Sequence, residues 1–301
     1  MAPDPRVADV DRFTKVTRSS IPLALNPEAV TLPRPFTVAI IGASAGIGEY
    51  VAYAYAHAGA SRIVISSRTL IDLQAVEIKL KEIDSTIEVD VVECDVSKAK
   101  SVEALAQHVR VACARLDVLV LNAGYAGPIT LKMEEGNPDW VQKAFDINAM
   151  GTYHAAHYFV PLLLRSKDAP GAFIVVGSIA GCIRRGIIAN TGYTVSKMAQ
   201  IRLVEYLAEQ HSNDGLLSIV IHPGAVKTRM AEGNTPEAFL PYLTDDVGLC
   251  GAVCVWLTSR RRDLQWLSGR LISATWDMDE LLSKKDQVVQ KDLLKFALVT
   301  E

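Results

Sequence analysis

The feature that most constrains the fold is an alternation of short apolar runs with longer amphipathic segments from residue 37 onward. Several runs are continuous in Val, Ile and Leu, as expected for strands that are buried on both faces of a sheet. Such alternation predicts a parallel sheet with helices on both sides. The predicted strands are 37–41, 62–66, 87–94, 116–121, 172–176, 217–221 and 270–273, and the predicted helices lie near 46–58, 70–83, 98–114, 138–166, 193–212 and 245–259.

Composition and charge exclude several classes of protein. The chain has 301 residues, is 50% hydrophobic and carries a formal net charge of −3. It is too apolar for a disordered protein, and it lacks the basic stripe of a nucleic-acid-binding protein. Its five cysteines are too scattered for a disulfide framework, and Cys250 and Cys254 have apolar neighbours that favour packing over metal binding. The longest apolar run, 247–257, is shorter than the ~20 residues that cross a bilayer, and the first thirty-odd residues do not resemble a signal peptide. We therefore expect a soluble cytoplasmic protein without a membrane partner or a metal.

A glycine-rich loop directly follows the first predicted strand. It reads Gly42-Ala-Ser-Ala-Gly46-Ile-Gly48 and leads into a helical pattern. Small residues let the backbone turn tightly and approach a phosphate, while the helix N-terminus offers free N–H groups and a favourable dipole. The spacing differs from the G-x-G-x-x-G dinucleotide fingerprint. The loop indicates an anion site without identifying its ligand.

The same loop contains the G-x-S-x-G pattern of α/β-hydrolases, with Ser44 in the position of the nucleophile. His211 or His222 could then act as the base. Two features oppose this interpretation. The elbow would lie on the first strand, with no earlier strand to supply an oxyanion loop, and Gly48 would have no role. A serine hydrolase is kept as an alternative.

Read with the motifs downstream, this loop resembles the cofactor loop of the short-chain dehydrogenase/reductase family. The resemblance extends from residue 37 to about residue 273 and depends on several motifs in the family's order, most of them at the end of a strand. These motifs are Cys94-Asp95-Val96, Asn122-Ala123-Gly124, Asn148-Ala-Met-Gly151, Ser178, Tyr193-Thr-Val-Ser-Lys197, Pro223-Gly224 and Thr228.

The pair Tyr193 and Lys197 supports acid–base chemistry at a carbonyl. The two residues are four apart on a predicted helix, so their side chains project from one face. A phenol with a pKa of about 10 is a poor acid at neutral pH, but a nearby ammonium and a cationic nicotinamide ring lower that pKa. Tyr193 would then exchange a proton with the carbonyl oxygen as hydride moves at carbon. Ser178 would hydrogen-bond that oxygen. The resemblance assigns Lys197 also to the nicotinamide ribose and Asn148 to a water that relays the proton.

The second predicted strand indicates which dinucleotide is bound. An acidic residue at this strand end would bind a ribose 2′-hydroxyl, but the chain has Ser67 followed by Arg68, and no acid before Asp72. A guanidinium pairs well with a 2′-phosphate, so NADP(H) is the expected cofactor. Together with the resemblance, this gives the expected cofactor residues Gly42, Ser44, Ile47, Gly48, Ser67, Arg68, Asp95, Val96, Asn122, Ala123, Gly124, Tyr193, Lys197, Pro223, Gly224, Val226 and Thr228.

The chain also departs from the family pattern. Ile41 stands where the family commonly has Thr, and Leu121 replaces a frequent Asn. Ser178 and Tyr193 are fifteen residues apart, about two more than usual, which lengthens the loop beside the substrate. Arg184 and Arg185 lie in that loop, and one hypothesis is that either contacts an anionic or oxygen-rich part of the substrate.

The predicted fold is a single doubly wound Rossmann-type α/β domain over residues 37–276, with a seven-stranded parallel sheet in the order 3-2-1-4-5-6-7. Residues 1–36 are expected to form a loosely ordered arm, 277–301 a solvated charged tail, and 226–244 a mobile lid. The expected function is hydride transfer between NADP(H) and a medium-sized, largely apolar carbonyl or secondary alcohol. A non-redox role of a cofactor-bound protein, such as epimerisation or binding, is a further alternative. The resemblance also implies a homodimer or homotetramer, and the chain is similar to fungal reductases of secondary metabolism.

Overall fold

A seven-stranded parallel sheet forms the centre of the molecule, in a computed structural model that describes residues 9–10, 12–165 and 169–298. The strand order is 3-2-1-4-5-6-7, which confirms the predicted topology. β1 pairs with β2 on one side and with β4 on the other, both in parallel. The sheet therefore grows in one direction from β1 to β3 and in the opposite direction from β4 onward, which makes β1 and β4 its switch point. Ligands of open α/β sheets bind at the carboxyl ends of the strands at such a switch point. The strands are β1 (Thr37–Ile41), β2 (Arg62–Ser67), β3 (Glu88–Glu93), β4 (Val118–Leu121), β5 (Ala172–Val176), β6 (Leu217–His222) and β7 (Leu271–Ser273).

Helices cover both faces of this sheet. Alternate side chains of each strand point to opposite faces, so Val38 and Ile40 pack on one layer and Ala39 and Ile41 on the other. The first layer contains α1, α2 and α8, and the second contains α3, α5 and α6. The helices are α1 (Ile47–His57), α2 (Leu70–Ile83), α3 (Ala99–Ala112), α4 (Pro138–Ala144), α5 (Gly151–Leu163), α6 (Thr191–Gln210), α7 (Arg229–Asn234), α8 (Leu249–Ser259), α9 (Met278–Ser283) and α10 (Lys285–Gln290).

The predicted helix over 138–166 differs from the structure. A π-helical segment, Phe145–Met150, separates α4 from α5 and contains Asn148. A π-helical turn adds one residue and leaves backbone groups differently paired, and such turns occur frequently at functional sites. Residue 166, the last of the predicted helix, lies outside the described residues.

Residues 12–36 pack against the rest of the domain, with 23–29 on α1 and α8, instead of forming a loose arm. Leu25 and Leu32 are buried, and Thr17 forms a β-bridge with Trp276. The Trp276 indole donates to the Val10 carbonyl at 2.8 Å, and Arg18 pairs with Asp277 at 2.7 Å. The expectation of a loosely ordered arm is therefore wrong for residues 12–36, while residues 1–8 and 11 lie outside the described part.

The C-terminal segment also packs against the domain. Met278, Leu281 and Val288 are buried, and Arg270 pairs with Asp292 at 3.0 Å. Charged residues of this segment such as Asp279, Lys285 and Asp286 are solvated on α9 and α10, as expected, while apolar side chains between them complete the core. Residues 299–301 lie outside the described part.

Within the described ranges, no helix combines the length and the apolar character needed to cross a membrane. The same ranges contain no group of three or more His, Cys, Asp or Glu residues that could hold a metal ion. Cys250 and Cys254 are both buried on α8 as free cysteines.

Candidate active site

The glycine loop between β1 and α1 packs closely against the end of β4. Gly42 has a φ of +92°, and a Cβ atom there would lie 2.5 Å from the Ala123 nitrogen. A Cβ atom at Gly48 would lie 2.1 Å from the Gly42 carbonyl oxygen, which also accepts a 2.7 Å hydrogen bond from the Asn122 amide. Among the described residues, no side chain caps α1 at Gly46. Its first N–H groups are therefore available to an anionic ligand.

A cleft of about 770 Å³ opens above this loop, along the carboxyl ends of the central strands. This volume falls within the range of about 300–1,000 Å³ for small-molecule sites. Most of the expected cofactor residues line it: Gly42, Ser44, Ile47, Ser67, Arg68, Asp95, Val96, Asn122, Ala123, Gly124, Tyr193, Lys197, Pro223 and Thr228.

Three of the expected cofactor residues do not line the cleft. Gly48 lies beneath the loop, where its missing side chain permits the contact with Gly42. Gly224 and Val226 lie beside Asp245, which accepts a hydrogen bond from the Ala225 nitrogen and forms a β-bridge with Val226. These positions shape the backbone around the cleft without reaching it.

The cleft also has lining residues that the sequence motifs did not identify. Glu49 and Tyr50 contribute from α1, immediately after the glycine loop. Others come from the segment around α7, whose N-cap Thr228 accepts a 3.2 Å hydrogen bond from the Ala231 nitrogen. A Thr N-cap is a recognisable start signal for a helix, so α7 could have been predicted. The lining residues of this segment are Lys227, Arg229, Met230 and Glu232, and the further ones are Thr69, Ile147, Val176, Gly177 and Val247.

A positive charge lies at the end of β2. Ser67 is buried and its hydroxyl accepts from the Thr69 nitrogen at 3.2 Å, whereas Arg68 is exposed and forms no ion pair within the described residues. Burial raises the pKa of Asp95, but hydrogen bonds from Ser97 and the nearby Arg68 outweigh it and lower that pKa overall. The Arg68 guanidinium is therefore available to an anion at the cleft.

Glu49 is one of three acids at the cleft, with Asp95 and Glu232, that would oppose an anionic ligand, but its charge is compensated. Glu49 accepts a 2.7 Å hydrogen bond from the Tyr53 hydroxyl and pairs with Lys79 at 3.1 Å. This pairing reduces the repulsion that Glu49 would exert on a phosphate.

Ser178, Tyr193 and Lys197 meet at the inner end of the cleft. Ser178 follows β5, and the other two lie on the first turns of α6. The Ser178 hydroxyl lies beside Tyr193, whose pKa it lowers, and accepts a hydrogen bond from the Ala180 nitrogen at 3.1 Å. The Lys197 Nζ lies 5.9 Å from the centre of the Tyr193 ring. This arrangement joins a hydroxyl donor, a phenol and an amine at one point of the cleft.

Burial dominates the electrostatics of this group. It raises the pKa of Tyr193, and the hydrogen bond from Ser178 only partly offsets that effect. It lowers the pKa of Lys197 from 10.5 to about 7. The residues alone therefore do not produce the lowered Tyr193 pKa that the Tyr–Lys spacing suggested, because desolvation exceeds the effect of Ser178. Tyr193 is a protonated phenol at neutral pH.

This lowered pKa makes stability depend on pH through Lys197. Between pH of about 7 and 10.5 the unfolded chain binds the Lys197 proton and the folded chain does not, so the wild type should gain stability as the pH rises. The melting temperature of Lys197→Met, measured relative to the wild type without cofactor, should therefore decrease from pH 7 to 10. Lys132→Met, at an exposed position, serves as the control. A Lys197→Met difference that stays constant with pH would show that Lys197 titrates normally.

The side-chain amide and the backbone carbonyl of Asn148 are hydrogen-bonded within the protein. Its Nδ2 donates to the Tyr125 carbonyl at 2.8 Å and to the Ser196 hydroxyl at 2.9 Å, and its Oδ1 accepts from the Tyr125 nitrogen at 2.9 Å. Its carbonyl oxygen accepts from Thr152 at 2.7 Å and from Gln200 at 3.1 Å. Those two bonds use both lone pairs, so a relay water at this carbonyl would have to displace one of them.

Ser44 lacks the geometry of a hydrolase nucleophile. Its φ is not positive, unlike the strained serine of a nucleophile elbow. None of the histidines, all within the described residues, hydrogen-bonds to it. His211 bonds to Asp214 at 2.7 Å, and burial lowers the pKa of His222 to about 4. No nucleophile–base pair is therefore formed at Ser44.

The lengthened loop after β5 carries its arginines away from the cleft. Arg184 and Arg185 are both exposed, and neither lines the cleft. The loop is anchored at its end, where the Asn190 amide donates to the Ala126 and Pro128 carbonyls at 3.0 Å each. A role for either arginine in substrate binding stays a prediction.

The chain is similar to known proteins over most of its length. A family model described as short chain dehydrogenase matches residues 36–238. The short chain dehydrogenase pgmD of Aspergillus terreus is 38% identical over 295 residues, covering 95% of this chain and 94% of that protein. The short chain dehydrogenase andI of Emericella variicolor is 34% identical, with 88% and 90% covered. A solved short chain dehydrogenase from Shigella flexneri, in complex with NADP, is 25% identical with a TM-score of 0.72, covering 82% of this chain and 99% of that one.

Proposed function

Because the chain belongs to the short-chain dehydrogenase family, we propose that it transfers hydride between NADP(H) and a carbonyl or secondary alcohol of a medium-sized, largely apolar substrate. The observation that carries this proposal is that the Ser178 hydroxyl, Tyr193 and the buried Lys197 come together at the inner end of the glycine-lined cleft. These are an acid, its orienting hydroxyl and a cation, which is what proton transfer to a carbonyl requires.

The chain's own residues perform the proton half of the reaction. NADP(H), when bound, supplies or accepts the hydride. Ser178 donates a hydrogen bond to the reacting oxygen and orients it toward the phenol. Tyr193 donates its proton to that oxygen during reduction, and its raised pKa keeps it protonated at neutral pH. Lys197 stabilises the phenolate that remains, and Asn148 fixes the loop at Tyr125 that borders the site. The protonated phenol is the form of Tyr193 that carbonyl reduction requires.

The residues of the cleft fit NADP(H). Any side chain at Gly42 would collide with Ala123, so the loop keeps a bare backbone surface for a pyrophosphate. Arg68, which has no ion pair among the described residues, and Ser67 would hold the 2′-phosphate. The Shigella flexneri relative, solved with NADP, supports the same cofactor.

The wall near Tyr193 supports an apolar substrate. Ile147, Val176 and Met230 line this end of the cleft. We propose that residues 226–244 form a lid over this end of the cleft. The proposed bounds of the catalytic domain are 37–276. Exposed apolar side chains on α5 and α6, including Tyr153 and Met198, support a homodimer or homotetramer through these helices. We also propose a cytoplasmic location and, from the fungal relatives, a role in secondary metabolism.

The proposed function is tested by incubating the protein with NADPH and a panel of ketones and aldehydes of increasing size. We expect absorbance at 340 nm to decrease with the larger apolar carbonyls, and an alcohol to form in equal amount. A panel without any NADPH- or NADH-dependent reduction, given a well-folded sample that binds the cofactor, would favour a non-redox role such as epimerisation or binding.

Ser44→Ala separates the oxidoreductase from the serine hydrolase. We expect NADPH-dependent turnover to stay within about tenfold of the wild type, since a neutral hydroxyl contributes at most one ordinary hydrogen bond. Neither protein should hydrolyse p-nitrophenyl esters. Ester hydrolysis by the wild type that disappears in Ser44→Ala would contradict this assignment.

A further inference from the structure

Gln200 connects the amine of Lys197 to the π-helical segment. Gln200 lies three residues after Lys197 on α6, and its side chain is completely buried. Its Oε1 accepts from the Lys197 Nζ at 2.8 Å, while its Nε2 donates to the Asn148 carbonyl at 3.1 Å and to the Thr152 hydroxyl at 2.8 Å. Each end of the amide is therefore fixed by a buried partner, which leaves Oε1 no freedom to turn away from Lys197.

The surroundings of Lys197 make the contact with Gln200 important for stabilising the buried ammonium. Its Nζ donates to two neutral oxygens, Gln200 Oε1 and the Val176 carbonyl at 3.1 Å. Tyr193 is the one titratable group recorded beside it in the described part of the chain, and the neighbouring Gly124 and Asn148 are uncharged. With no carboxylate to pair with the ammonium, these two oxygens are what offset its burial.

We propose that Gln200 is a positioning residue that fixes the Lys197 amine beside Tyr193 and stabilises its ammonium form. This inference deepens the proposed function and rests on it for its purpose in turnover. Gln200 acts through Lys197 and needs no contact with substrate. The π-helical segment takes part because it turns the Asn148 carbonyl toward Gln200 and so orients the amide.

The direct test measures the titration of Lys197 in cofactor-free protein. The ε-carbons of lysine are labelled with ¹³C and followed by NMR from pH 5 to 11, and Lys197→Met assigns the signal. A hydrogen bond to a charged group contributes enough to shift a pKa by about one to two units. We therefore expect Gln200→Met, of similar length, to lower the Lys197 pKa by that amount. Gln200→Glu places a carboxylate beside the ammonium and should raise it.

The control is Thr152→Val, which removes a partner of the Gln200 amide but leaves the Lys197 contact in place. It should disturb the buried network while moving the Lys197 titration much less than Gln200→Met does. In turnover, Gln200→Met should lower kcat by about tenfold or more, and Gln200→Glu should recover part of that loss.

Different results would contradict the role of Gln200 and the redox function. A Lys197 titration that is the same in wild type, Gln200→Met and Gln200→Glu would overturn the role of Gln200, whatever the turnover. If Gln200→Met does not fold, the Gln200→Glu titration alone decides. Opposite shifts in the two variants with no reduction of any carbonyl would support the Gln200 contact and instead contradict the redox function.

Discussion

Tyr193→Phe is expected to lower kcat by about 10²–10⁴-fold, the usual contribution of a general acid. Phenylalanine keeps the ring and its packing but removes the hydroxyl that lies beside Ser178. The loss should appear in kcat with little change in NADPH affinity, because the ring still fills its place beside Lys197. Steady-state kinetics and a fluorescence titration with NADPH measure the two quantities.

The matched control for this variant is Tyr206→Phe, which removes a hydroxyl from an exposed position on the same helix. Its turnover should equal that of the wild type. A Tyr193→Phe enzyme with near-normal kcat would exclude the phenol as the acid, and Ser178 would then have to be examined in its place.

Arg68→Ala is expected to raise the Kd for NADPH about ten- to a hundredfold and to leave NADH binding nearly unchanged. A charge-assisted contact with a phosphate contributes about 1.5–3 kcal/mol, and NADH has no 2′-phosphate to lose. Arg68 is exposed at the cleft, so the substitution should not disturb the fold. Isothermal titration with each cofactor gives both affinities.

Two further variants sharpen the cofactor assignment. Arg185→Ala removes one positive charge from an exposed position that does not line the cleft, and it should bind both cofactors as the wild type does. Ser67→Asp introduces the carboxylate that selects a ribose 2′-hydroxyl, so it should weaken NADPH and favour NADH. Equal affinity of the wild type for both cofactors would show that Arg68 does not contact a 2′-phosphate.

The sheet could be predicted from sequence because its strands are apolar on both faces. Thr37–Ile41 and Ala172–Val176 have the bounds that their apolar runs indicate, and both are buried throughout. The predicted ends of the third and fourth strands extend one or two residues too far, since flanking apolar residues such as Ile87 and Leu116 are buried without pairing in the sheet. Burial and strand pairing are different properties, and periodicity reports only the first.

The packing of the two terminal segments could not be predicted in the same way. Leu25 and Leu32 lie in a segment that prolines interrupt repeatedly, so they form no helical or strand periodicity, yet both fill the core. The Thr17–Trp276 bridge joins residues from opposite ends of the chain, and such pairing is invisible to a local window.

The residues of the site likewise divide into those that could be identified from the sequence and those that could not. Motif residues at strand ends, such as Asn122 and Ser178, could be identified because the topology brings all strand ends to one edge. Gln200 could not, because a single glutamine in an amphipathic helix carries no pattern. Its importance appears only when α6 packs against the π-helical segment and its amide meets Lys197 and Asn148. That segment itself lacks a sequence signal, since its residues continue the helical pattern of 138–166.

The measurement that tests the central claim most directly is the transfer of deuterium from NADPH labelled at C4 of the nicotinamide. With a carbonyl substrate identified from the panel, mass spectrometry of the alcohol should show one deuterium on the carbinol carbon from one C4 epimer of the cofactor and none from the other. Tyr193→Phe should form this product far more slowly. An alcohol without deuterium from either epimer, or a product formed in the absence of any nicotinamide cofactor, would contradict hydride transfer.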